Sequence, residues 1–358
     1  MSDSSVSTLA SPLRVGALEL PNRVIMAPLT RCRAGTRRTP TDLMAKYYAQ
    51  RASAGLLLTE ATSVTPMGVG YPDTPGIWSE EQMLGWRKTT QAVHAKGGRI
   101  MLQLWHVGRI SDPHYLNGET PVAPSAIAPA GHVSGVRPEK PHVTPRALRR
   151  EELAGIVENY RQAAVRAKDA GFDGVEIHGA NGYLLDQFLE DSTNQRRDDY
   201  GGSVENRARL LLEVTDAAIA VWGGDRVGVH LSPRGGFNDI RDSNPAALFG
   251  YVAAELARRG AAFLFVRETL DEPRVAPVMK AAFGGPLILN DQIGIEDAKR
   301  LVASGEVDAV SWGRLYIANP DLPERILADE TLNTPNPDTF YGGNEVGYTD
   351  YPSLSAAR

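Results

Sequence analysis

Within the run Val175-Glu176-Ile177-His178-Gly179-Ala180-Asn181-Gly182-Tyr183, three side chains can hydrogen-bond an oxygen, and one of them, a phenol, can also deliver a proton. His178, Asn181 and Tyr183 follow an apolar, β-rich stretch. Were that stretch one strand of a parallel barrel, the three would sit at its mouth, where the carboxyl ends of the strands build the active site. A lone histidine at a strand end has as good a claim to a structural role. The three together, at this spacing, favour chemistry on a polarised oxygen.

The surrounding sequence repeats one pattern: a helical stretch, a glycine, then a short strand closing on a polar residue. Gly55, Gly97 with Gly98, Gly171, Gly260 and Gly305 precede strands predicted at 56–60, 100–104, 175–178, 263–266 and 309–312. A glycine that ends a helix in the left-handed conformation is the loop chemistry of successive αβ units. Adding 24–27, 227–231 and 287–290 makes eight candidate strands. The expectation is an α/β chain forming a single (β/α)8 TIM barrel over 1–358. Helices are predicted at 151–170 and 206–221 from their apolar spacing. Two segments stand outside the repeat: a hairpin at 13–20, and a Pro-, Gly- and His-rich insertion after strand three, at about 108–150, expected to form a lid or pocket wall.

Composition narrows the partners. The 358 residues carry a net charge of −5 with basic residues scattered, so nothing marks a nucleic-acid or anionic-membrane surface, and small molecules are the expected partners. Cys32 is the only cysteine, which excludes an internal disulfide or a Cys-ligated metal cluster within the chain. The histidines show no metal-ligand spacing, and no metal is expected. Met1 to Ala10 has no leader-like apolar core, and no apolar run approaches the roughly 18 residues of a membrane span, so the chain reads as cytoplasmic. The oligomeric state is left open, monomer or homo-oligomer.

The other strand ends add neutral donors and acceptors. Thr30, Ala61, Gln103 and Trp105 follow or end strands one to three. Thr and Gln suit a heterocycle with amide-like edges, such as a flavin, better than a metal or a sugar. Asn290-Asp291-Gln292 follows strand seven and Trp312-Gly313-Arg314 ends strand eight, where barrels often hold a phosphate. No Gly-x-Gly-x-x-Gly turn marks a dinucleotide fold, so a permanently bound dinucleotide on such a fold is not expected. Glu60 and Glu176 raise an alternative, a glycosidase carboxylate pair on the same barrel. Glu176, two residues before His178 on the same inward face, is expected to lie deeper, in the filled layers. A flavin-loaded sensor without turnover is the alternative outside enzymes.

Met26-Ala27-Pro28-Leu29-Thr30-Arg31, Gln103-Leu104-Trp105-His106, 178–188, the stretch from Ser192 to Arg207, Ile317-Ala318-Asn319-Pro320-Asp321 and the closing Gly347-Tyr348-Thr349-Asp350-Tyr351-Pro352 together resemble the old yellow enzyme family over nearly the whole chain. The bacterial xenobiotic reductases, with glycerol trinitrate and N-ethylmaleimide reductases, look most similar. The resemblance implies FMN, tightly but not covalently bound, and NAD(P)H as hydride donor. It implies reduction of activated alkenes or nitro compounds by a ping-pong cycle. It places Ala27, Pro28, Leu29, Thr30, Ala61, Gln103, His230, Asn290, Trp312, Gly313 and Arg314 around the cofactor, with Thr30 at the flavin O4 edge, Gln103 on the pyrimidine and Arg314 with Gly313 at the phosphate. His178 and Asn181 would hold the substrate's oxygen and Tyr183 would protonate carbon. Tyr71, Trp105 and Tyr341 would shape the cavity. Two positions depart from many relatives: Asn181 stands where they have His, and His230 where they have Arg. His230 would either carry charge or donate one hydrogen bond, and desolvation favours the neutral form.

Overall fold

Side chains alternate between the inside and the outside of the barrel along eight short, mostly apolar strands, and the alternation determines which of them fill the barrel and which meet the helices. The computed structural model describes residues 7–354. The N-terminal stretch read as lacking a leader falls largely outside them. The strands are Val24–Met26, Leu57–Leu58, Ile100–Trp105, Gly174–Gly179, Val227–Leu231, Phe263–Arg267, Leu287–Asn290 and Ala309–Trp312. Each is parallel to its neighbours, and pairing of the second with both the first and the third closes the ring. This is the predicted (β/α)8 barrel.

Outward residues such as Val24, Leu57, Val175, Ile177, Val229, Leu264 and Leu289 belong to one large core shared with the surrounding helices. Inward residues, among them Ile25, Leu58, Met101, Phe263, Phe265 and Ile288, form a second core. The hairpin expected at 13–20 is present, with Leu13–Val15 antiparallel to Leu18–Leu20, and its leucines join the inner core. It therefore plugs the barrel. On the inward face Gly228 leaves room for a ring: a Cβ there would come 2.1 Å from Phe263 Cζ.

Several boundaries differ from expectation by one or two residues, and three of the differences have a local cause. Strand two was expected to reach Glu60 but ends at Leu58, because the Glu60 N–H donates to Tyr48 Oη (2.8 Å) rather than to a strand. The helix predicted at 206–221 runs Val204–Trp222, since the Ser203 hydroxyl accepts from Asn206 N and starts it earlier. The helix predicted at 151–170 opens with a 3-10 turn, Arg150–Glu152, before Leu153–Asp169.

The insertion carries a two-residue parallel pairing, Val122–Ala123 with Arg146–Ala147. Its buried Arg109 donates to Ile127 O (3.1 Å) inside the insertion and to Asn238 O (3.1 Å) and Asp239 O (2.6 Å) in the loop after strand five. A second tie joins the ends of the chain. Arg31, buried after strand one, donates to the carbonyls of Thr339, Phe340 and Gly347. Arg51, also buried, donates to those of Tyr316 and Ile317 and lies 3.7 Å from the centre of the Tyr47 ring, which stacks on Tyr348 (4.1 Å). Among the described residues no helix is long and apolar enough to cross a membrane.

The Gly228 fit yields a test. Gly228→Ala is expected to overpack the barrel, costing about 1–3 kcal/mol. An unchanged urea midpoint would show that the ring of Phe263 can give way.

Candidate active site

The site lies at the carboxyl ends of the strands, where inward side chains are no longer covered by another layer. His178 and His230 lie one residue before the ends of strands four and five; the two pair in register, and their rings stack at 5.0 Å, 5° from parallel. Trp105, at the end of strand three, lies 6.4 Å from His178 and 5.0 Å from the edge-on Tyr183 ring. Tyr183 precedes the short helix Leu184–Leu189, and its hydroxyl is 2.9 Å from that of Tyr71. These aromatic groups wall one space. Tyr341, 69% exposed, stands outside it, yet is near enough to raise the pKa values of Tyr71 and Tyr183.

Asn181 reaches the mouth from a left-handed backbone, φ 58°, which asparagine tolerates better than most residues. Its N–H donates to Ser232 Oγ (2.7 Å) and its carbonyl accepts from Asn238 Nδ2 (2.8 Å).

Burial sets the protonation states. It lowers His178 to about 3, helped by the charge of Arg267, and lowers His230 well below its ordinary value, helped by His178 and Arg267. Both rings are neutral at physiological pH. Gln103 Nε2 faces Glu176 Oε2 (2.7 Å) and His230 Nδ1 (3.1 Å). An amide NH2 only donates, so His230 Nδ1 accepts and its proton sits on Nε2. The 4.0 Å approach of His230 to Glu176 is thus no ion pair, since burial also raises Glu176 to about 8 and leaves it a neutral acid. Of the two sequence alternatives for His230, the structure has the neutral donor. Burial raises Tyr183 to about 12, so its proton is retained throughout the physiological range.

The glycosidase alternative fails on the same geometry. Glu60 and Glu176 are both fully buried. Glu60 accepts from Arg31 N and Tyr48 Oη, and Glu176 lies beneath Gln103; neither faces a sugar cleft.

Several polar atoms at the mouth have no partner among the described residues: His230 Nε2, His178 Nδ1 and Trp105 Nε1. Gln103, with Nε2 committed, keeps Oε1 as an acceptor. Gly313 brings the backbone after strand eight so close to Leu29 that a Cβ would lie 2.9 Å from its methyl. Half-buried Pro28, Leu29 and Thr30 and buried Ala27 and Ala61 complete a wall of small and neutral groups. Such residues fit a flat heterocycle with imide edges. Asn290 donates to Ser311 O (3.0 Å), bridging strands seven and eight, and Arg314 is exposed, with no hydrogen bond or ion pair to the described residues. The Trp312 side chain is turned the other way, into the outer core, with its indole N–H on Ile293 O (2.8 Å), so this residue can offer the site only its backbone.

A parallel barrel with this mouth is the architecture of a flavin-binding oxidoreductase. The model of the NADH:flavin oxidoreductase / NADH oxidase family matches residues 8–333, and the chain belongs to that family, as an old yellow enzyme-type member. A probable flavin mononucleotide-dependent alkene reductase of Leishmania infantum is 45% identical over 359 residues, covering 98% of each chain. The 12-oxophytodienoate reductase 1 of Oryza sativa subsp. japonica is 44% identical, covering 97% of this chain and 93% of that protein. Among solved structures, morphinone reductase in complex with tetrahydroNAD superposes with a TM-score of 0.94 at 51% identity, covering 97% of this chain and 98% of that one. The old yellow enzyme homologue from Zymomonas mobilis superposes with a TM-score of 0.95 at 46% identity, covering 97% and 100%. The chain is an NAD(P)H-dependent flavin oxidoreductase whose cofactor is FMN.

One residue at this mouth was missed from sequence. Arg267 ends strand six, and its Nη1 donates to Asn181 Oδ1 (2.8 Å). The alternation Phe263, Phe265, Arg267 on the inward face was the signal that could have found it.

Glu176 gives a pH prediction. Its folded pKa, about 8, is raised above the ordinary 4.5, so its contribution to stability is full below about 4.5 and is lost as pH rises through about 8. Glu176→Gln keeps an acceptor for Gln103 and removes the titration. The variant should therefore gain stability relative to the parent between pH 5 and 9, read from urea midpoints; a constant difference would show the carboxyl ionised throughout.

Proposed function

We propose that the protein is an ene-reductase for activated C=C bonds, in enones, maleimides and nitroalkenes, with nitrate esters and nitroaromatics as further acceptors. The observation that carries this reading is the convergence of His178, Asn181 and a protonated Tyr183 on one aromatic-walled space. The alkene and enone reductases among the relatives support it.

Bound FMN would supply hydride exchange between NAD(P)H and the substrate's β-carbon. The residues would do the rest. His178 and Asn181 would donate to the carbonyl or nitro oxygen, where negative charge grows as hydride arrives. Donors held in place before the reaction stabilise that charge more in the transition state than in the ground state. Tyr183 would then protonate the α-carbon; a phenol raised to about 12 does not ionise beforehand, so its proton is present when the carbanion develops. Tyr71, within 2.9 Å, would orient that hydroxyl and donate to the phenolate left behind. Trp105 and Tyr71 would limit the size of the substrate. Neutral His178 donates without carrying charge, so substrate binding would not vary between pH 5 and 9 on its account. Nicotinamide and alkene would use this mouth in turn, which is the ping-pong order.

The test is the visible spectrum of the purified holoenzyme under anaerobic NADPH and then 2-cyclohexenone. Bleaching followed by recovery supports the reading; bleaching that the enone cannot reverse rules out this substrate class. Tyr183→Phe is expected to bleach normally and to slow enone turnover by about 10²–10⁴-fold, the usual scale of a general acid. Unchanged turnover would remove Tyr183 from the proton-delivering role.

A further inference from the structure

Asn181 is held at nearly every polar atom. Its N–H, its carbonyl and its Oδ1 all have partners, respectively Ser232 Oγ, Asn238 Nδ2 and Arg267 Nη1. Nδ2 is left without a hydrogen-bond partner among the described residues. A carboxamide can present either end to a ligand, and the two ends have opposite hydrogen-bonding character. A guanidinium has five donors and no acceptor, so it settles the choice: Oδ1 must face Arg267, and the NH2 must face away from it.

Arg267 is itself fixed. Its Nε lies 3.3 Å from Asp291 Oδ2, and its guanidinium carbon lies 5.5 Å from the centre of the Phe237 ring. Asp291 follows strand seven on a left-handed backbone, φ 95°. The three elements that hold the cation, strand six, the loop after strand seven and the loop after strand five, also line a cavity of about 370 Å3 beside the site. Strand-end placement and three-sided support are what a positioning group needs.

We infer that Arg267 is a positioning residue for the reaction: by donating to Asn181 Oδ1 it locks the amide with its NH2 toward the substrate's oxygen. This rests on the reading of Asn181 as an oxygen-holding group. The arrangement gives the donor a second property. A charged donor on Oδ1 polarises the amide, so its N–H is a stronger donor than that of a free carboxamide. The site thereby acquires a positive charge one residue removed from the substrate, held there by Asp291. It also opposes protonation of His178 and His230.

The experiment is a double-mutant cycle on the oxidised holoenzyme, reading the dissociation constant of phenol from the change in flavin absorbance. Asn181→Ala is expected to weaken phenol about tenfold and Arg267→Leu about fivefold, the scale of one hydrogen bond. The double variant should be within about twofold of Asn181→Ala alone, because Arg267 has nothing left to act through. Asn181→Asp, which keeps an acceptor for Arg267 but has no NH2, should weaken phenol as much as Asn181→Ala. Arg267→Lys retains a donor and should recover part of the loss; it serves the same cycle if Arg267→Leu fails to bind FMN. Independent effects, about fiftyfold weakening in the double variant, would overturn the inference and make Arg267 a direct contact. No effect of either Arg267 variant beside a weakened Asn181→Ala would overturn it too, leaving the role of Asn181 intact. No effect of Asn181→Ala would reject that role and the inference with it.

Discussion

Desolvation at the mouth of the barrel decides the character of the site. Strands four and five bring two histidines into parallel contact, and strand four adds a carboxyl beneath them. In water the histidines would titrate near neutral pH and the carboxyl would be ionised there. Here burial drives the histidines down and the carboxyl up, and all three are neutral. Neutral groups at this depth act through hydrogen-bond direction alone, so direction must be fixed by neighbours. Gln103 does this for His230 and Glu176, and Arg267 for Asn181. The Arg267 guanidinium stands beside these groups at the rim, paired with Asp291.

Much of this was legible in the sequence, and the reason is periodicity. A strand buried on both faces has to be apolar on the outward side, and in a short strand the inward residue at the carboxyl end is the first free to be polar. That rule, with the glycine that precedes most of the strands, placed the eight strands within a residue or two and drew attention to His178 and Gln103, whereas His230 came from the family resemblance. Strand two ended early for a non-local reason: the backbone of Glu60 is claimed by Tyr48, a residue of the preceding helix. Trp312 shows the limit of the same reasoning. Its position beside Gly313 made it a cofactor residue by adjacency, whereas the alternation that served elsewhere sends its indole outward to Ile293.

Arg267 was overlooked for a related cause. A cation ending a strand reads as ordinary solvent exposure, and what gives it meaning is a partner, Asn181, far away in sequence on another strand's loop. No spacing rule carries such a pairing. The same holds for Tyr71 and Tyr183, whose hydroxyls meet across separate βα loops. A linear reading can find groups capable of chemistry; their mutual orientation is a property of the closed ring.

The tie between Arg31 and the carbonyls of Thr339, Phe340 and Gly347 has a consequence for how the molecule comes into being. A buried guanidinium must find acceptors. Arg31 has one nearby, Tyr47 Oη (3.1 Å), but the three carbonyls are made only much later, and until then most of its donors must stay hydrated. The loop after strand one, which includes Thr30, can take its final place only once residues 339–347 have been made. Vectorial synthesis can supply the hairpin and the early strands first, but this part of the barrel's carboxyl end waits for a segment more than 300 residues further on.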